Sequence, residues 1–382
     1  MTGQDFVRQL DEGQGFHKAP DWSERLHIDF MLIGFVVIVC GAGLFILYSA
    51  SGQDMSIVIR QAIYMLIGFV GMIIIAQISP RLLMRLSPWI YIGGVALLIA
   101  VLIMGIHSKG AQRWIQLPFI RFQPSEIIKL VMPIVVATYV SKRQLPLSLK
   151  NIVAVMILIG IPVVLIARQP DLGTSLLIGA SGLFILLLAG LRKRLIFSAI
   201  MLAVPSIWGF WHFVMLNYQK QRVLTFLNPQ SDPWGAGWNI IQSKIAIGSG
   251  GLYGKGWLLG TQSHLDFLPE SHTDFIIAVL AEEFGLMGCL ILLALYALII
   301  GRGLFITLRA QTLFGRLLAG SITLTFFVYI FVNIGMVSGL LPVVGVPLPL
   351  VSRGGTSLVT LMAGFGLLMS IQTHKTFLGQ SR

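Results

Sequence analysis

Charged side chains are scarce in this sequence. Only 11% of its 382 residues are Asp, Glu, Lys or Arg, whereas about 25% of the residues of a soluble domain are charged. Hydrophobic residues make up 56% of the chain. Apolar runs of about 20 residues recur along it, each long enough to cross the hydrocarbon core of a membrane. The composition therefore predicts an all-α polytopic membrane protein. A membrane β-barrel is excluded because its strands would alternate polar and apolar residues.

Several common signatures of chemistry are also missing. The only cysteines, Cys40 and Cys289, lie inside apolar runs and match no metal-ligand spacing. No H-E-x-x-H motif, nucleophile elbow or zinc spacing occurs, so nothing supports a metalloprotease or a serine hydrolase. The glycine-rich stretch 248-GSGGLYGKG-256 departs from a P-loop, because Ser249 replaces the first glycine and Gly256 follows the lysine. It is predicted to form a flexible or close-packed turn.

About ten apolar runs are predicted to span the membrane, with glycine and proline tolerated inside them. The predicted spans are 29–49, 59–78, 87–107, 124–141, 151–167, 172–190, 195–213, 273–300, 317–341 and 355–373. Residues 1–28 are polar and lack the apolar core of a cleavable signal, so they are predicted to be a cytoplasmic tail. Residues 29–382 are then expected to form a single membrane domain.

The distribution of Lys and Arg predicts the orientation. Sixteen basic residues fall on the side that carries both termini and ten on the other, with Lys129 inside a span. Because short basic loops face the cytoplasm, both termini are predicted to be cytoplasmic. The opposite side carries the long loop 214–272 between spans seven and eight, which is expected to fold against the membrane surface. The ten basic residues on this side predict an anionic ligand such as phosphate. The net charge of +12 is not a nucleic-acid signature, because the basic residues lie in the short loops between spans.

The stretch 271-SHTDF-275 precedes the eighth predicted span. Ser271 and Asp274 have the spacing of a capping box, so one interpretation is that Asp274 caps this helix and favours its positive end. The alternative is functional, because a partly buried carboxylate at the outer interface, beside His272, can act as a general base. The two interpretations are compatible, since a carboxylate that caps a helix is also held in place.

Two charged residues share one face of the predicted fourth span. In 121-RFQPSEIIKL-130, Pro124 suits the first turn of a helix, with Gln123 as its cap. Glu126 and Lys129 are three residues apart and can pair on the same face. The pair is either an internal salt bridge or the base of a polar cavity that opens outwards.

A structural interpretation is favoured for three further acidic residues. Glu282 and Glu283 lie about two turns inside the eighth span, where an acid either carries function or pairs with a base. Structural pairing or hydrogen bonding is the favoured interpretation for both, and a functional role is the alternative. Adjacent residues of a helix point about 100° apart, so the two cannot share one partner. Asp171 begins the sixth span and is predicted to cap it.

Arginines gather on the predicted outer side, where Arg60, Arg113 and Arg121 stand near span ends. Guanidinium groups bind pyrophosphate in a bidentate manner, so these three predict a phosphate clamp. The alternative is that each one reaches lipid headgroups. No acidic cage of metal ligands is visible in the sequence. No cofactor is therefore predicted with certainty, and a bound divalent cation, Mg²⁺ or Mn²⁺, is left open.

In combination, these motifs resemble the SEDS family (shape, elongation, division and sporulation proteins), and specifically its elongation branch. The matching stretches are 110-GAQRWIQL-117, 121-RFQPSEIIKL-130, 168-RQPDLGTS-175, 218-YQKQRVLTFLNP-229, 254-GKGWLLGTQSHLDFLPESHTDFIIAVLAEEFG-285 and 333-NIGMVSGLLPVVGVPLPLVS-352. The resemblance covers nearly the whole chain after residue 28. It implies a ten-span fold and a peptidoglycan glycosyltransferase that polymerises lipid II into β-1,4 glycan during cell elongation, at the outer face of the bacterial cytoplasmic membrane.

The resemblance also implies residue roles and partners. Asp274 in the HTDF motif corresponds to the catalytic base, which would take a proton from the acceptor sugar while undecaprenyl pyrophosphate leaves with inversion. The residues expected to bind substrate are Arg60, Arg113, Arg121, Gln123, Glu126, Lys129, Arg222 and His272. The implied partners are lipid II, the nascent glycan strand, a class B penicillin-binding protein and other membrane proteins of the elongation complex, with no nucleic acid.

One motif departs from the family, which usually has S-Y-G-G where this chain has Ser352, Arg353, Gly354 and Gly355. The change removes an aromatic side chain and adds a cation. Two other functions remain open: a lipid II flippase or transporter, and a scaffold that activates a penicillin-binding protein without catalysis. Transporters often contain internal repeats with paired broken helices, and the sequence shows no such repeat.

The basic-residue asymmetry can be tested by cysteine labelling in intact spheroplasts. Gln230→Cys, in the long loop, should react with an impermeant thiol reagent, whereas Arg192→Cys, in a predicted cytoplasmic loop, should be protected. Protection at residue 230 together with labelling at residue 192 would invert the predicted topology.

Overall fold

The computed structural model describes residues 26–108, 111–116, 121–215, 217–233, 237–261 and 271–374. Most of the predicted tail, 1–28, lies outside these ranges. The α-helices within them are α1 Phe30–Ala50, α2 Met55–Ala76, α3 Pro80–Met104, α4 Pro124–Ser141, α5 Leu149–Ala167, α6 Leu172–Leu188, α7 Lys193–Gly209, α8 Asn217–Leu227, α9 Trp238–Gly250, α10 Ile276–Arg309, α11 Leu313–Val337 and α12 Gly355–Thr373. Three short strands, β1 Ile106–Ser108, β2 Ala111–Gln116 and β3 Arg121–Phe122, pair antiparallel in the order β1-β2-β3.

Of the described helices, ten correspond to the ten predicted spans, so the all-α polytopic fold is confirmed. Eight of them, α1–α5 and α10–α12, are long and apolar enough to cross a membrane. Helix α6 is apolar but has 17 residues, and α7 continues into a π-helical turn, Phe210–Val214. We call the end of the bundle that carries residues 50–54, 168–171 and 338–354 the loop end. The opposite end, with residues 26–29 and 310–312, is the terminus end.

Helix starts explain where the predicted boundaries differ from the structure. Ser79 Oγ accepts a hydrogen bond from the Leu82 amide and Pro80 occupies the first helical turn, so α3 begins well before the predicted boundary at 87. Hydropathy alone missed this start because Arg81 and Arg85 lie in the first two turns. The strands were also not predicted; they lie where the sequence indicated only an outer loop.

Helix α10 is interrupted at Gly285, whose φ of 64° and ψ of −159° are not helical. The segment 276–283 before the break is entirely buried. The segment after it, 286–309, is about 36 Å long at 1.5 Å per residue and spans the hydrocarbon core by itself. The break separates Glu282 and Glu283 from the segment 286–309.

The glycine-rich turn that follows α9 fits into this break. The amides of Lys255 and Gly256 donate to the carbonyls of Glu282 and Glu283, each at 3.0 Å. In return, the amides of Leu286 and Met287 donate to the carbonyls of Gly251 and Leu252, at 3.0 and 3.1 Å. Residues 251–256 of the predicted flexible or close-packed turn thus form a close-packed turn, which supplies the hydrogen bonds that the broken helix lacks. Residues 248–250 belong instead to the end of α9.

Polar contacts near the two ends of α1 align it with α10. At the loop end, Ser49 Oγ donates to Glu283. At the terminus end, Arg302 contacts Asp29 with Nε and Nη2 at 2.9 and 2.8 Å. Residues 29 and 49, at the two ends of α1, are separated by about 30 Å of helix, which matches the hydrocarbon thickness. The contacts therefore hold the apolar lengths of both helices at the same depth.

Gly285→Ala should destabilise the protein by on the order of 3 kcal/mol, because its positive φ strains any side chain and a Cβ would overlap backbone. That Cβ would lie 2.4 Å from Gly254 N and 2.6 Å from Leu252 O. The matched control is Gly301→Ala in the spanning part of α10, where a Cβ meets nothing within 4 Å. Thermal unfolding in detergent should show a large loss for the first variant alone. Equal melting temperatures would mean that the break does not need glycine.

Candidate active site

Asp274 lies at the loop end, immediately before α10. The N-cap position of that helix belongs to Phe275, whose side chain makes no capping hydrogen bond. Ser271, the other half of the predicted capping box, donates instead to the Ala50 carbonyl at 3.1 Å. The predicted capping box is therefore not formed, because the chain turns through residues 271–275 before helical geometry begins. Asp274 itself is partly buried.

The backbone around Asp274 is held by the last loop, residues 338–354, and by the helix that precedes it. The Arg353 amide donates to the His272 carbonyl at 3.0 Å. Ser352 Oγ donates to the Thr273 carbonyl at 2.5 Å, and Asn333 Nδ2 donates to the Asp274 carbonyl at 2.9 Å. Three consecutive carbonyl groups are thus each bound by a different donor.

A second carboxylate, Asp171, organises the neighbouring part of the loop end. It caps α6 as predicted, because Oδ1 accepts from the Thr174 amide at 3.2 Å. Its Oδ2 accepts from Gln123 Nε2 at 3.3 Å and lies 3.6 Å from Arg113 Nη1. Gln123 stands at the N-cap position of α4 as predicted, but its side chain makes no capping bond because it binds Asp171.

Arg113 is attached to the bundle at two points. Besides Asp171, its Nη2 donates to the Pro170 carbonyl at 2.6 Å. The side chain comes from strand β2, so the small sheet carries a guanidinium group to the start of α6. The sequence predicted this arginine as a ligand for phosphate. The structure brings it to a carboxylate and leaves its side chain partly exposed.

Glu126 and Lys129 form the predicted ion pair within α4, with Lys129 Nζ 2.7 Å from Glu126 Oε1. Both side chains are largely buried. Lys129 Nζ also lies 5.6 Å from the centre of the Tyr329 ring on α11. Tyr329 and Asn333 are four residues apart and so share a face of α11. That face connects the ion pair to the backbone of Asp274.

The last loop also contacts the start of α6. A Cβ on Gly173 would lie 2.8 Å from the Val344 carbonyl, so this glycine permits the close approach. On the other side, a Cβ on Gly345 would lie 3.6 Å from Asp274 Oδ2. The last loop therefore separates the Asp171 cluster from Asp274 and contacts both.

Glu282 and Glu283 accept hydrogen bonds within the protein, which confirms the structural role predicted for them. Glu282 is fully buried, and its Oε1 accepts from Lys255 Nζ at 2.7 Å and from the amide and hydroxyl of Thr261 at 2.8 and 2.9 Å. Glu283 accepts from Ser49 Oγ. As expected for adjacent residues of a helix, they have different partners.

For the remaining predicted site residues, the structure gives fewer contacts. Arg60 is exposed on α2, next to Gln61, whose Nε2 donates to the Ser352 carbonyl at 3.1 Å. The side chains of Arg121 and Arg222 lie outside the described residues. His272 contributes its carbonyl to the last loop. Among the described residues, no group of three His, Cys, Asp or Glu could hold a metal ion, so a divalent cation stays a prediction.

Sequence reasoning missed Asn333 and Ser352 as site residues. Both are buried polar side chains within apolar surroundings, at 0% and 3% exposure, and a polar residue in such a place is a functional or structural signal. In the sequence, Asn333 is visible only as the first residue of the matching stretch 333–352. Its role was not visible because its partners, Asp274 and Val346, are 59 and 13 residues away.

Together, the fold and the site define a polytopic membrane protein whose buried polar groups are concentrated at one end of a helical bundle. Comparison with known proteins then gives the family. The family described as Cell cycle protein (FTSW_RODA_SPOVE) matches residues 24–377, and the chain belongs to it.

Relatives cover nearly the full chain. It is 55% identical over 367 residues to the peptidoglycan glycosyltransferase MrdB of Escherichia coli strain K12, covering 96% of this chain and 98% of that protein. It is 35% identical to the probable peptidoglycan glycosyltransferase FtsW of Geobacter metallireducens, covering 91% of this chain and 95% of that protein.

Two solved structures share the architecture. One chain, from work on structural coordination of polymerization and crosslinking by a peptidoglycan synthase complex, has a TM-score of 0.78 and 31% identity, covering 90% of this chain and 97% of that chain. The rod shape determining protein RodA of Thermus thermophilus has a TM-score of 0.69 and 27% identity, covering 92% of this chain and 98% of that chain.

The buried pair in α4 generates a prediction about folding. Glu126→Ala leaves the Lys129 ammonium group without its carboxylate in a buried position, which should cost on the order of 3–5 kcal/mol and lower the folded yield or the activity. The charge-swapped double variant Glu126→Lys with Lys129→Glu should recover part of the loss. Size-exclusion yield in detergent and glycan polymerisation are the measurements. If Glu126→Ala were silent in both assays, the pair would be solvated.

Proposed function

We propose that this chain is a peptidoglycan glycosyltransferase that polymerises lipid II into β-1,4 glycan strands. The observation that carries the proposal is a partly buried aspartate, Asp274, held by its backbone at one face of a membrane bundle that is 55% identical to a protein named for this activity. The substrate lipid lies in the membrane and its sugars lie in water. A polar site at the end of apolar helices suits such a molecule.

In the proposed reaction, Asp274 acts as a general base. It takes the proton from the 4-hydroxyl of the acceptor GlcNAc, and the resulting oxygen attacks the anomeric carbon of the lipid-linked donor. The bond from that carbon to the pyrophosphate breaks, and undecaprenyl pyrophosphate leaves with the bonding electrons. Because attack comes from the face opposite the leaving group, an α-linked donor becomes a β-linked product. Such a step needs one base and no covalent nucleophile.

Cationic groups are proposed to stabilise the leaving pyrophosphate, which gains negative charge as the bond breaks. Arg113 is supported by its attachment to Asp171 and Pro170, which fixes the guanidinium group while leaving part of it exposed. Arg60, Arg121 and Arg222 are the other proposed cations. Gln123, Glu126, Lys129 and His272 are proposed to shape the cavity and to position the substrate.

The loop end, which carries Asp274, is proposed to be extracytoplasmic, and both termini are proposed to be cytoplasmic. The reason is that basic residues are more numerous on the side of the termini, and short basic loops face the cytoplasm. The proposed partner is a class B penicillin-binding protein that cross-links the product. A structural neighbour supports this partner, because its description concerns the structural coordination of polymerization and crosslinking by a peptidoglycan synthase complex. Other membrane proteins of the elongation machinery are proposed on the family resemblance alone.

A lipid II flippase is the second candidate function, because the broken helix α10 is a feature found in transporters. In this chain, however, the break is filled by the glycine-rich turn, and the buried acids at the loop end are bonded within the protein. That arrangement favours a fixed site at one membrane face over a path through the bundle.

Asp274→Asn should fold and insert normally but form almost no polymer from lipid II. The amide keeps the size of the side chain but cannot accept a proton at neutral pH, and general-base catalysis typically contributes about 10²–10⁴-fold in rate. Asp274→Glu keeps the base but displaces it by one methylene, so a severe but incomplete loss is expected. Gel electrophoresis of polymer made from purified lipid II, with and without the penicillin-binding partner, measures both.

The matched control is Asp54→Asn, the same chemical change at another helix start of the loop end. Asp54 accepts from the Ser56 amide at 2.9 Å and caps α2, and Asn caps about as well as Asp. This variant should polymerise at the wild-type rate. Polymer formation by Asp274→Asn at a rate near wild type would remove the catalytic assignment. Flipping of lipid II without polymerisation by the wild-type protein would favour the transporter.

A further inference from the structure

Asp274 precedes the N-cap residue of α10, which is Phe275. The regular backbone of the helix therefore does not fix the direction of the Asp274 side chain. Asp274 lies in the turn 271–275, where the backbone has no regular hydrogen-bond ladder. A base that must meet a hydroxyl within about 3 Å needs its backbone fixed by other contacts.

Two hydrogen bonds fix the peptide groups on either side of the Asp274 Cα atom. Ser352 Oγ donates to the Thr273 carbonyl, which belongs to the peptide before that atom. Asn333 Nδ2 donates to the Asp274 carbonyl, which belongs to the peptide after it. With both peptide planes held, the φ and ψ angles of Asp274 are determined and so is the direction of its Cα–Cβ bond.

The two donors are themselves held rigidly. Asn333 is fully buried on α11, and its second hydrogen bond goes from Nδ2 to the Val346 carbonyl at 2.7 Å. Because both partners are carbonyl oxygens, only the amide nitrogen can face them, which fixes the orientation of the amide. Ser352 Oγ also accepts from the Leu348 amide at 2.9 Å, and the Ser352 carbonyl accepts from Gln61. The two donors therefore lie on α11 and on the last loop, and Gln61 ties that loop to α2.

The same loop limits the space around the carboxylate. Gly345 has a φ of +74°, and a Cβ there would be 3.6 Å from Asp274 Oδ2. The carboxylate thus lies against a surface that carries no side chain. Since its backbone direction is set and one side is bounded by Gly345, few orientations remain open to it.

We propose that Asn333 and Ser352 are positioning residues that aim the Asp274 carboxylate at the acceptor hydroxyl. The inference rests on the proposed function of Asp274 as the base. It assigns the last loop a task in the reaction, because that loop and α11 hold the backbone on both sides of the Asp274 Cα atom. A displacement of about 1 Å at a reacting group can cost about 10²-fold in rate, so such contacts are kinetically important.

The test compares Asn333→Ala and Ser352→Ala with Ser243→Ala in the full-length protein. Ser243 is a matched control, because it is a fully buried serine that donates to the Val337 carbonyl at 2.8 Å at the same end of the bundle, away from residues 272–274. Polymerisation is measured with purified lipid II and normalised to folded protein. We expect Asn333→Ala and Ser352→Ala to lower kcat about tenfold or more, with KM changed less than about threefold. The control should lose stability alone.

A double-mutant cycle separates positioning from a general loss of structure. In the Asp274→Glu background the carboxylate is already displaced, so Ser352→Ala should reduce the remaining rate much less than it reduces the wild-type rate. An equal fold-loss in both backgrounds would overturn the proposal, as would a wild-type kcat for both alanine variants per folded molecule. If Asn333→Ala does not fold, Ser352→Ala alone decides.

The outcomes also distinguish a failure of the positioning role from a failure of the proposed function on which it rests. An inactive Asp274→Asn combined with a wild-type kcat in Ser352→Ala overturns the positioning role and leaves the catalytic base in place. A near-wild-type rate for Asp274→Asn overturns the catalytic base, and with it any positioning of that base. An inactive Asp274→Asn, a reduced kcat in Ser352→Ala and non-additivity in the cycle would together support the positioning role.

Discussion

Non-helical backbone within a membrane bundle must find its hydrogen bonds inside the protein, and the loop end of this molecule is built under that constraint. The break in α10 leaves backbone groups around Gly285 without helical partners. The turn 251–256 supplies amides and carbonyls that match them one for one. The carbonyls that precede α10 are bound in the same way by the last loop. The site is thus assembled from irregular segments that satisfy one another.

The buried acids follow from the same constraint. A carboxylate in an apolar bundle is stable only with donors at hand, and several of these donors come from distant parts of the chain. Glu282 binds Lys255 and Thr261, and Asp171 binds Gln123 and Arg113. These contacts tie the loop segments to the helices. The backbone carbonyl of Asp274 is bound in a similar way, by Asn333 on α11.

Arg353 illustrates how a family motif can vary without loss of this arrangement. The last loop uses the backbone amide of residue 353, which donates to the His272 carbonyl. A backbone amide is present whatever the side chain, so arginine can stand where the family usually has tyrosine. The contact made by Ser352, in contrast, requires a hydroxyl. The side chain of Arg353 is left partly exposed and adds a cation at the loop end.

By itself, the sequence determined the membrane class, the number of spans, the Glu126–Lys129 pair and the family, because these depend on composition, local spacing and motifs read along the chain. It did not determine the role of the residues before α10, where a capping pattern was present but the helix started two residues beyond Asp274. Nor did it indicate the break at Gly285 or the contacts of Asn333 and Ser352. Those features depend on backbone groups whose partners lie from 13 to 79 residues away, and only the packed tertiary structure brings such groups within hydrogen-bonding distance.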